Sequence, residues 1–156
     1  MIDLKKILVP TDLSQFSQSA IRYGAEFAHR FDAELILLHV IWHPLTDYAY
    51  EVGNYSKSFD DYESDVRIAA EKEMARFSVA PLPNRDRVTT ELRVGHAVEQ
   101  ITHYADENDV DLIILGTHGR TGLKHVLLGS VAENAIRHAP CPVLTVRAQE
   151  HEFVHP

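Results

Sequence analysis

The residues whose types and spacing could do chemistry are concentrated in one glycine-rich segment, residues 116–130, which reads GTHGRTGLKHVLLGS. Glycine lets the backbone adopt positive φ angles and approach a ligand closely. Consecutive N–H groups in such a loop can form a concave anion site. The segment ends at Gly129 and Ser130, where a helix is predicted to begin, and the unpaired N–H groups of a helix start favour phosphate. This spacing therefore predicts binding of a phosphate group.

The distribution of charge supports the same chemistry. The chain carries 15 Lys and Arg residues against 23 Asp and Glu residues, which gives a net charge of −8. No acidic residue occurs from Leu112 to Ala132, whereas Arg120 and Lys124 do. This window is a local reversal of sign in an acidic chain. The overall acidity argues against general binding of nucleic acid, which requires clustered positive charge.

Two rival phosphate motifs are absent from the sequence. No glycine precedes a Lys-Ser or Lys-Thr pair, so there is no Walker loop. The turn after the first predicted strand is VPTDLS, residues 9–14, and lacks the glycines of a dinucleotide-binding fingerprint. Ser130 followed by Glu133 has the spacing of a capping box, which predicts that Ser130 is the N-cap of the helix.

Other reactive side chains have less specific surroundings. Asp12 follows the first strand, where it is either a ligand-facing carboxylate or an Asx-turn residue. Cys141, the single cysteine, lies between two prolines and is expected to be a small buried residue rather than a catalytic thiol. The ten histidines show no metal-ligand spacing. The sequence therefore assigns no catalytic residue and no metal site.

The elements that must position the glycine-rich segment alternate along the chain. Five strands are predicted, at residues 5–10, 34–41, 88–94, 110–116 and 142–146. Helical periodicity fills the intervals at residues 16–31, 62–77, 97–105 and 131–136. The second and fourth strands are nearly continuous aliphatic runs, which is typical of parallel strands covered on both faces. This order predicts a doubly wound α/β fold.

The length of 156 residues is that of one domain, predicted to span residues 1–156. No signal peptide and no apolar run of membrane-spanning length is seen, which predicts a cytoplasmic protein without membrane contact. Trp42 to Ser58 has no regular pattern and is predicted to be a long loop.

Together these residues resemble a known family. Gly116-x2-Gly119-x9-Gly129-Ser130 matches the G-x2-G-x9-G-[ST] motif of the universal stress protein family, in its ATP-binding branch. The first strand and turn (ILVPTDLS), the end of the second strand (LLHV) and the closing segments GSVAE and APCPVL are also similar to the family. The resemblance covers Lys5 to Arg147.

The resemblance implies a sheet of five parallel strands in the order 3-2-1-4-5 and bound ATP. It places the turn beside adenine and ribose, and the backbone of Val40 against adenine. It places the phosphates and ribose between two walls. The implied turn is Pro10, Thr11 and Asp12, and the walls are Gly116, Thr117, His118, Gly119 and Arg120 on one side and Gly129, Ser130 and Val131 on the other. Whether Mg²⁺ or Mn²⁺ accompanies the nucleotide stays open.

The expected function is regulatory binding of ATP in a stress response, read by a protein partner that the sequence does not name. Two alternatives remain: a slow ATPase or autophosphorylating enzyme, and a nucleotide-free interaction module. The fifth strand is an uncharged edge at Val143 to Val146, so we expect a homodimer paired through it.

Overall fold

The computed structural model describes residues 2–42, 57–77, 87–117 and 128–147. The strands are β1 (Lys6–Pro10), β2 (Glu34–Ile41), β3 (Val88–Val94), β4 (Leu112–Gly116) and β5 (Val143–Val146). The helices are α1 (Gln18–Phe31), which follows a short 3₁₀ turn (Gln15–Ser17), then α2 (Lys57–Phe77), α3 (Ala97–Glu107) and α4 (Ser130–His138). Among these described ranges, no helix is both long and apolar enough to cross a membrane.

All five strands are parallel and lie in the order β3-β2-β1-β4-β5, which confirms the predicted α/β fold and strand order. β1 is central because its side chains are apolar on both faces: Ile7, Leu8 and Val9 are all completely buried. The carboxyl ends of the strands therefore meet at one edge of the sheet, and the chain leaves β1 in one direction and β4 in the other.

The helices cover the two faces of the sheet. Ile7 and Val9 pack in the cluster that contains residues of α1 and Met74 of α2, whereas Leu8 packs with residues of α3 and α4. Gly24 allows α1 to lie very close to β1, because a Cβ at this position would be 2.5 Å from Cγ2 of Val9.

Pro10 explains why β1 and β4 separate. Their pairing ends at Leu8 and Ile113. In a regular parallel ladder the carbonyl of Ile114 would next accept the N–H of residue 10, but proline has no N–H to donate. The gap between β1 and β4 therefore begins where the sequence places Pro10.

Several predicted boundaries are wrong by one or two residues. β4 begins at Leu112 and not at Val110, because the N–H of Val110 donates to the carbonyl of Ala105 and so closes the end of α3. The Asp111 carboxylate accepts the N–H groups of Lys5 and Lys6, at 2.6 and 2.9 Å, so Lys5 lies before β1.

Three other predicted boundaries also differ from the structure. β5 begins after Pro142, at Val143. Phe16 lies in the 3₁₀ turn that precedes α1. Lys57 and Ser58 are already helical, so the predicted loop from Trp42 to Ser58 ends earlier. Residues 43–56 of that loop lie outside the described ranges.

Candidate functional site

A cleft of about 560 Å³ lies at the carboxyl ends of the strands. Ligands of open α/β sheets bind at this edge, where the strand order reverses. Its volume is within the range of roughly 300–1,000 Å³ that is usual for small-molecule sites. The ends of β1, β2 and β4 form its floor, and residues of α2, α3 and α4 form its sides.

The turn that follows β1 is held by a closed set of hydrogen bonds. The Ser17 hydroxyl donates to the Ser14 carbonyl at 2.8 Å. Because a hydroxyl has one hydrogen, Thr11 must be the donor in the 2.8 Å contact between Oγ1 of Thr11 and Oγ of Ser17. Oγ1 of Thr11 also accepts the N–H of Leu13 at 3.1 Å. These bonds hold Leu13 at a φ of 62°, a left-handed conformation that is uncommon for leucine.

Asp12 forms an Asx turn at the edge of the cleft. Its Oδ1 accepts the N–H of Ser14 at 3.0 Å and the Ser14 hydroxyl at 2.6 Å, which is an Asx turn. Asp12 also lines the cleft. The turn therefore fixes the direction of a carboxylate that stands at the ligand-binding edge.

His39 connects β2 to this turn. Its side chain is buried, and Nδ1 lies 2.8 Å from the carbonyl oxygen of Thr11. A carbonyl only accepts, so Nδ1 carries the proton and donates it. The N–H of Thr11 is bound to the carbonyl of Leu38 at 2.8 Å. Both backbone groups of Thr11 are thus held by neighbouring residues of β2.

The backbones of Val40 and Gly116 face the cleft from opposite sides. Backbone groups along a strand point alternately to the two neighbouring strands. The carbonyl of Leu38 binds Thr11, so Val40, two residues later, points the same way, past the end of β1. The N–H of Thr117 binds the carbonyl of Val146, so Gly116 points away from β5 and toward β1.

The start of α4 forms the far side of the cleft. The N–H of Gly129 donates to the carbonyl of Thr117 at 2.8 Å. A Cβ on Gly129 would lie 3.2 Å from that oxygen, which is tighter than nine in ten such contacts in proteins, so a glycine suits this position. The backbone φ of Gly129 is −69°, an ordinary value, so the requirement is for space and not for a left-handed conformation.

The predicted capping box is wrong. Gly129 is the N-cap of α4, and its cap has no side-chain hydrogen bond. The carbonyl of Gly129 accepts the N–H of Glu133 at 2.9 Å, while the Glu133 carboxylate pairs with Arg137 at 3.0 Å. Ser130 is therefore the first helical residue, with its hydroxyl outside the cap. The prediction that the helix begins at Ser130 is confirmed.

The structure brings most of the predicted site residues together. Those that line the cleft are Pro10, Thr11, Asp12, Val40, Gly116, Thr117, Gly129 and Val131. Ser130 is exposed in the first turn of α4 and does not line the cleft. His118, Gly119 and Arg120 lie outside the described residues, as does Lys124.

The cleft also contains residues that sequence reasoning missed. They are Ser17 and His39, Trp42 at the end of β2, and apolar or small residues of the helices such as Val66, Ala69, Ala97 and Ile101. A signal for His39 was present, because it is a polar residue inside an aliphatic strand that ends at the ligand-binding edge. The helix residues carried no signal other than the periodicity that marks a buried face.

Within the described ranges, metal-ligating side chains are not clustered, and the Cys141 thiol has a raised pKa. No group of three or more His, Cys, Asp and Glu side chains is placed there to hold a metal ion. Cys141 is partly buried against the α3 and α4 face of the sheet. Burial raises the pKa of its thiol, and the charge of Asp111 raises it further. A raised pKa keeps the thiol protonated and unreactive at neutral pH.

Comparison with known proteins identifies the family. The sequence profile of the universal stress protein family matches residues 3–147. The chain belongs to the universal stress protein family. Among curated relatives, universal stress protein MJ0531 of Methanocaldococcus jannaschii is 34% identical over 150 residues, which are 95% of this chain and 85% of the relative. Universal stress protein MJ0577 of the same organism is 33% identical over 153 residues, which are 92% and 94% of the two chains.

Solved structures of universal stress proteins have the same fold. The structure of MJ0577 superposes with a TM-score of 0.71 at 32% identity, covering 96% of this chain and all of that chain. UspA from Lactobacillus plantarum gives a TM-score of 0.68 at 27% identity, covering 94% of this chain and all of that chain. A universal stress protein in complex with cAMP gives 0.63 at 22% identity, with 95% and 100% covered, a level that shows the fold alone.

Proposed function

We propose that this protein binds ATP in the cleft at the carboxyl ends of β1, β2 and β4, and that a partner protein reads whether the cleft is occupied. The observation that carries the proposal is the combination of two features in one cleft. Backbone groups face a gap at one side, and a helix N-terminus beside a glycine lies at the other. A nucleotide needs both, because its base is recognised by directional hydrogen bonds and its phosphates by N–H groups.

In this proposal the base and ribose lie at the β1 and β2 side. The backbone N–H and carbonyl of Val40 point into the gap, where they can pair with the edge of adenine. Ile101 and Ala97 supply apolar contact for the ring. The fixed carboxylate of Asp12 is the natural acceptor for a ribose hydroxyl, since carboxylates accept strong hydrogen bonds.

The phosphates lie at the β4 and α4 side. The first N–H groups of a helix have no partner inside the helix, and the helix dipole adds positive potential there. The backbones of Ser130 and Val131 supply such groups. Gly116, Thr117 and Gly129 complete the wall, with His118, Gly119 and Arg120 assigned to it from the sequence. The charge reversal of the 112–132 window favours the same position for the phosphates.

One solved relative, which is 22% identical to this chain, is in complex with cAMP. For this chain, the preference for ATP is part of the proposal. Titration of ATP in the presence of Mg²⁺, of Mn²⁺ or of a chelator measures whether binding needs a metal ion.

The decisive experiment is the recovery of nucleotide from the purified protein. Protein prepared without added nucleotide is denatured by heat, and the supernatant is analysed by ion-exchange chromatography and mass spectrometry. Calorimetric titration of nucleotide-free protein with ATP, adenosine and inorganic tripolyphosphate then measures the two halves of the cleft separately. The proposal predicts binding of ATP that is tighter than binding of either part. Absence of ATP binding in both measurements would instead favour a nucleotide-free interaction module.

Phosphate release over several hours separates regulation from catalysis. A binding protein keeps its ATP intact, whereas a slow ATPase releases phosphate and an autophosphorylating enzyme gains the mass of a phosphate. The proposal includes a single nucleotide-binding domain over residues 1–156, a cytoplasmic location and a homodimer through Val143–Val146.

A further inference from the structure

His39 occupies a position where an apolar side chain would be the simpler choice. It lies between Leu38 and Val40 on β2, and it is only 8% exposed. Burial of a polar ring costs free energy unless the ring is hydrogen-bonded. The ring makes one such bond, from Nδ1 to the Thr11 carbonyl at 2.8 Å, and it lines the cleft. The bond therefore stands at the ligand-binding edge.

The pairing of β1 with β2 ends beside this bond. The ladder ends at Pro10 and Leu38. In a regular parallel ladder the Thr11 carbonyl would next accept the N–H of Val40. Within residues 2–42 of the described structure this hydrogen bond is absent: the register ends at Pro10 and Leu38, and Thr11 is not paired with His39. The side chain of His39 binds the carbonyl that Val40 would otherwise bind.

We propose that His39 is a positioning residue for the nucleotide: by binding the Thr11 carbonyl, it ends the ladder one rung early and keeps the backbone N–H of Val40 open to the cleft. The inference rests on the proposed function, in which Val40 pairs with the base. A leucine at position 39 would fill the same space but would leave the Thr11 carbonyl free to accept from Val40. β1 and β2 would then be joined by one more hydrogen bond, and the Val40 N–H would no longer be available to adenine.

The first test needs no ligand. Amide hydrogen exchange of the nucleotide-free protein is followed by ¹H–¹⁵N NMR, with the amide of Ile41, which faces β3, as the internal reference. In the wild type, the Val40 amide is expected to exchange at least tenfold faster than that of Ile41. In His39→Leu it is expected to slow at least tenfold, and in His39→Asn, whose amide nitrogen can donate in place of Nδ1, it is expected to stay fast.

Two results of that experiment would overturn the proposal. One is equal protection of Val40 and Ile41 in the wild type, which requires no variant to fold. The other is an unchanged Val40 amide in a folded His39→Leu protein, which would mean that His39 does not control the rung.

The second test uses ligand. His39→Leu is expected to weaken ATP at least tenfold while leaving inorganic tripolyphosphate unchanged, because the phosphates bind at α4. His39→Asn is expected to bind ATP within threefold of the wild type. Equal loss of ATP and tripolyphosphate would mean a general effect on folding and would refute the positioning role. A wild type that binds neither ligand would refute the proposed function, while the exchange of the Val40 amide would still decide what His39 does.

Discussion

The carbon that Gly129 lacks would lie 3.2 Å from the carbonyl oxygen of Thr117, the same oxygen that accepts the Gly129 N–H. A side chain here requires the start of α4 or the end of β4 to shift by a few tenths of an ångström. The first N–H groups of the helix would then move relative to the rest of the cleft. Gly129 therefore allows the start of α4 to lie close to the end of β4 at this side of the cleft.

We expect Gly129→Val to weaken ATP binding at least tenfold, which corresponds to about 1.4 kcal/mol. Overpacking of this kind also lowers the free energy of unfolding by roughly 1–3 kcal/mol. Titration calorimetry measures the first effect and urea denaturation the second. The matched control is Asn134→Val, which places the same uncharged side chain on the exposed face of the same helix. If both variants lose the same affinity, the contact of Gly129 with Thr117 does not shape the site.

Cys141 allows a test of burial by chemistry, because it is the single cysteine in the chain. Burial raises the pKa of its thiol, so the fold favours the neutral form. The associated stability is present below the ordinary thiol pKa of about 8.5 and is lost as pH rises through the higher value in the folded protein. We expect the native thiol to react with Ellman's reagent at least tenfold more slowly at pH 7.5 than the urea-unfolded thiol. Equal rates would mean an accessible, ionised thiol.

At the level of elements, the close packing of α1 on β1 depends on Gly24. In an exposed helix, replacing glycine by alanine gains about 1 kcal/mol. Here the new Cβ would be 2.5 Å from Cγ2 of Val9, a fully buried and branched side chain that cannot move aside. The steric cost exceeds the gain in helix propensity, since overpacking costs roughly 1–3 kcal/mol.

We therefore expect Gly24→Ala to lower the free energy of unfolding by up to about 2 kcal/mol, against the direction of helix propensity. Combined with Val9→Ala, which removes the opposing methyl groups, the loss should be smaller than the sum of the two single losses by about 1 kcal/mol. Urea denaturation of the four proteins completes this cycle. Additive losses would show that the two residues do not compete for the same space.

The elements were predictable where hydrophobic patterning decides them. β2 and β3 have the predicted bounds, because long apolar or alternating runs leave one register that buries the correct face. The first residues of β1 and β4 were not predicted. The Asp111 carboxylate binds the N–H groups of Lys5 and Lys6, which are distant in sequence, and the Val110 N–H binds the preceding helix.

The candidate site was also predictable only in part. Glycine spacing predicted the wall that contains Gly116 and Gly129, and the family resemblance placed the β1 turn opposite it; residues of both line the cleft. The N-cap of α4 was mispredicted because Ser130 and Glu133 have the spacing of a capping box. The N-cap is Gly129, one residue earlier, whose N–H donates to the carbonyl of Thr117. The bond from His39 to Thr11 spans 28 residues and required the sheet order before it could be seen.

At the scale of the whole molecule, β5 is an edge of the sheet that residues 2–42, 57–77, 87–117 and 128–147 form, and among these residues one row of its backbone groups has no strand beside it. The Val146 carbonyl and the Pro142 carbonyl bind β4, so by alternation Leu144 and Val146 face inward while Val143 and Thr145 face outward. An outward row of this kind can pair with a second copy of the same strand about a two-fold axis.

We expect the wild type to be a dimer, with a mass near twice the 17.7 kDa of the chain in light scattering at micromolar concentration. Thr145→Pro removes an outward N–H and should give a monomer that still binds ATP, whereas Thr145→Val keeps the N–H and should remain dimeric. Val146→Pro removes an inward donor and should destabilise the sheet itself. A wild-type mass near that of one chain would contradict the proposed assembly.

Trp42, the single tryptophan, stands at the rim of the cleft with 56% of its surface exposed. All of the indole emission of the protein therefore comes from one position beside the site. An indole in water emits at long wavelength, and a ring or phosphate that enters the cleft changes both its solvation and its quenching. The molecule thus carries a built-in optical probe, by which filling and emptying of the cleft can be timed in a stopped-flow instrument without any attached dye.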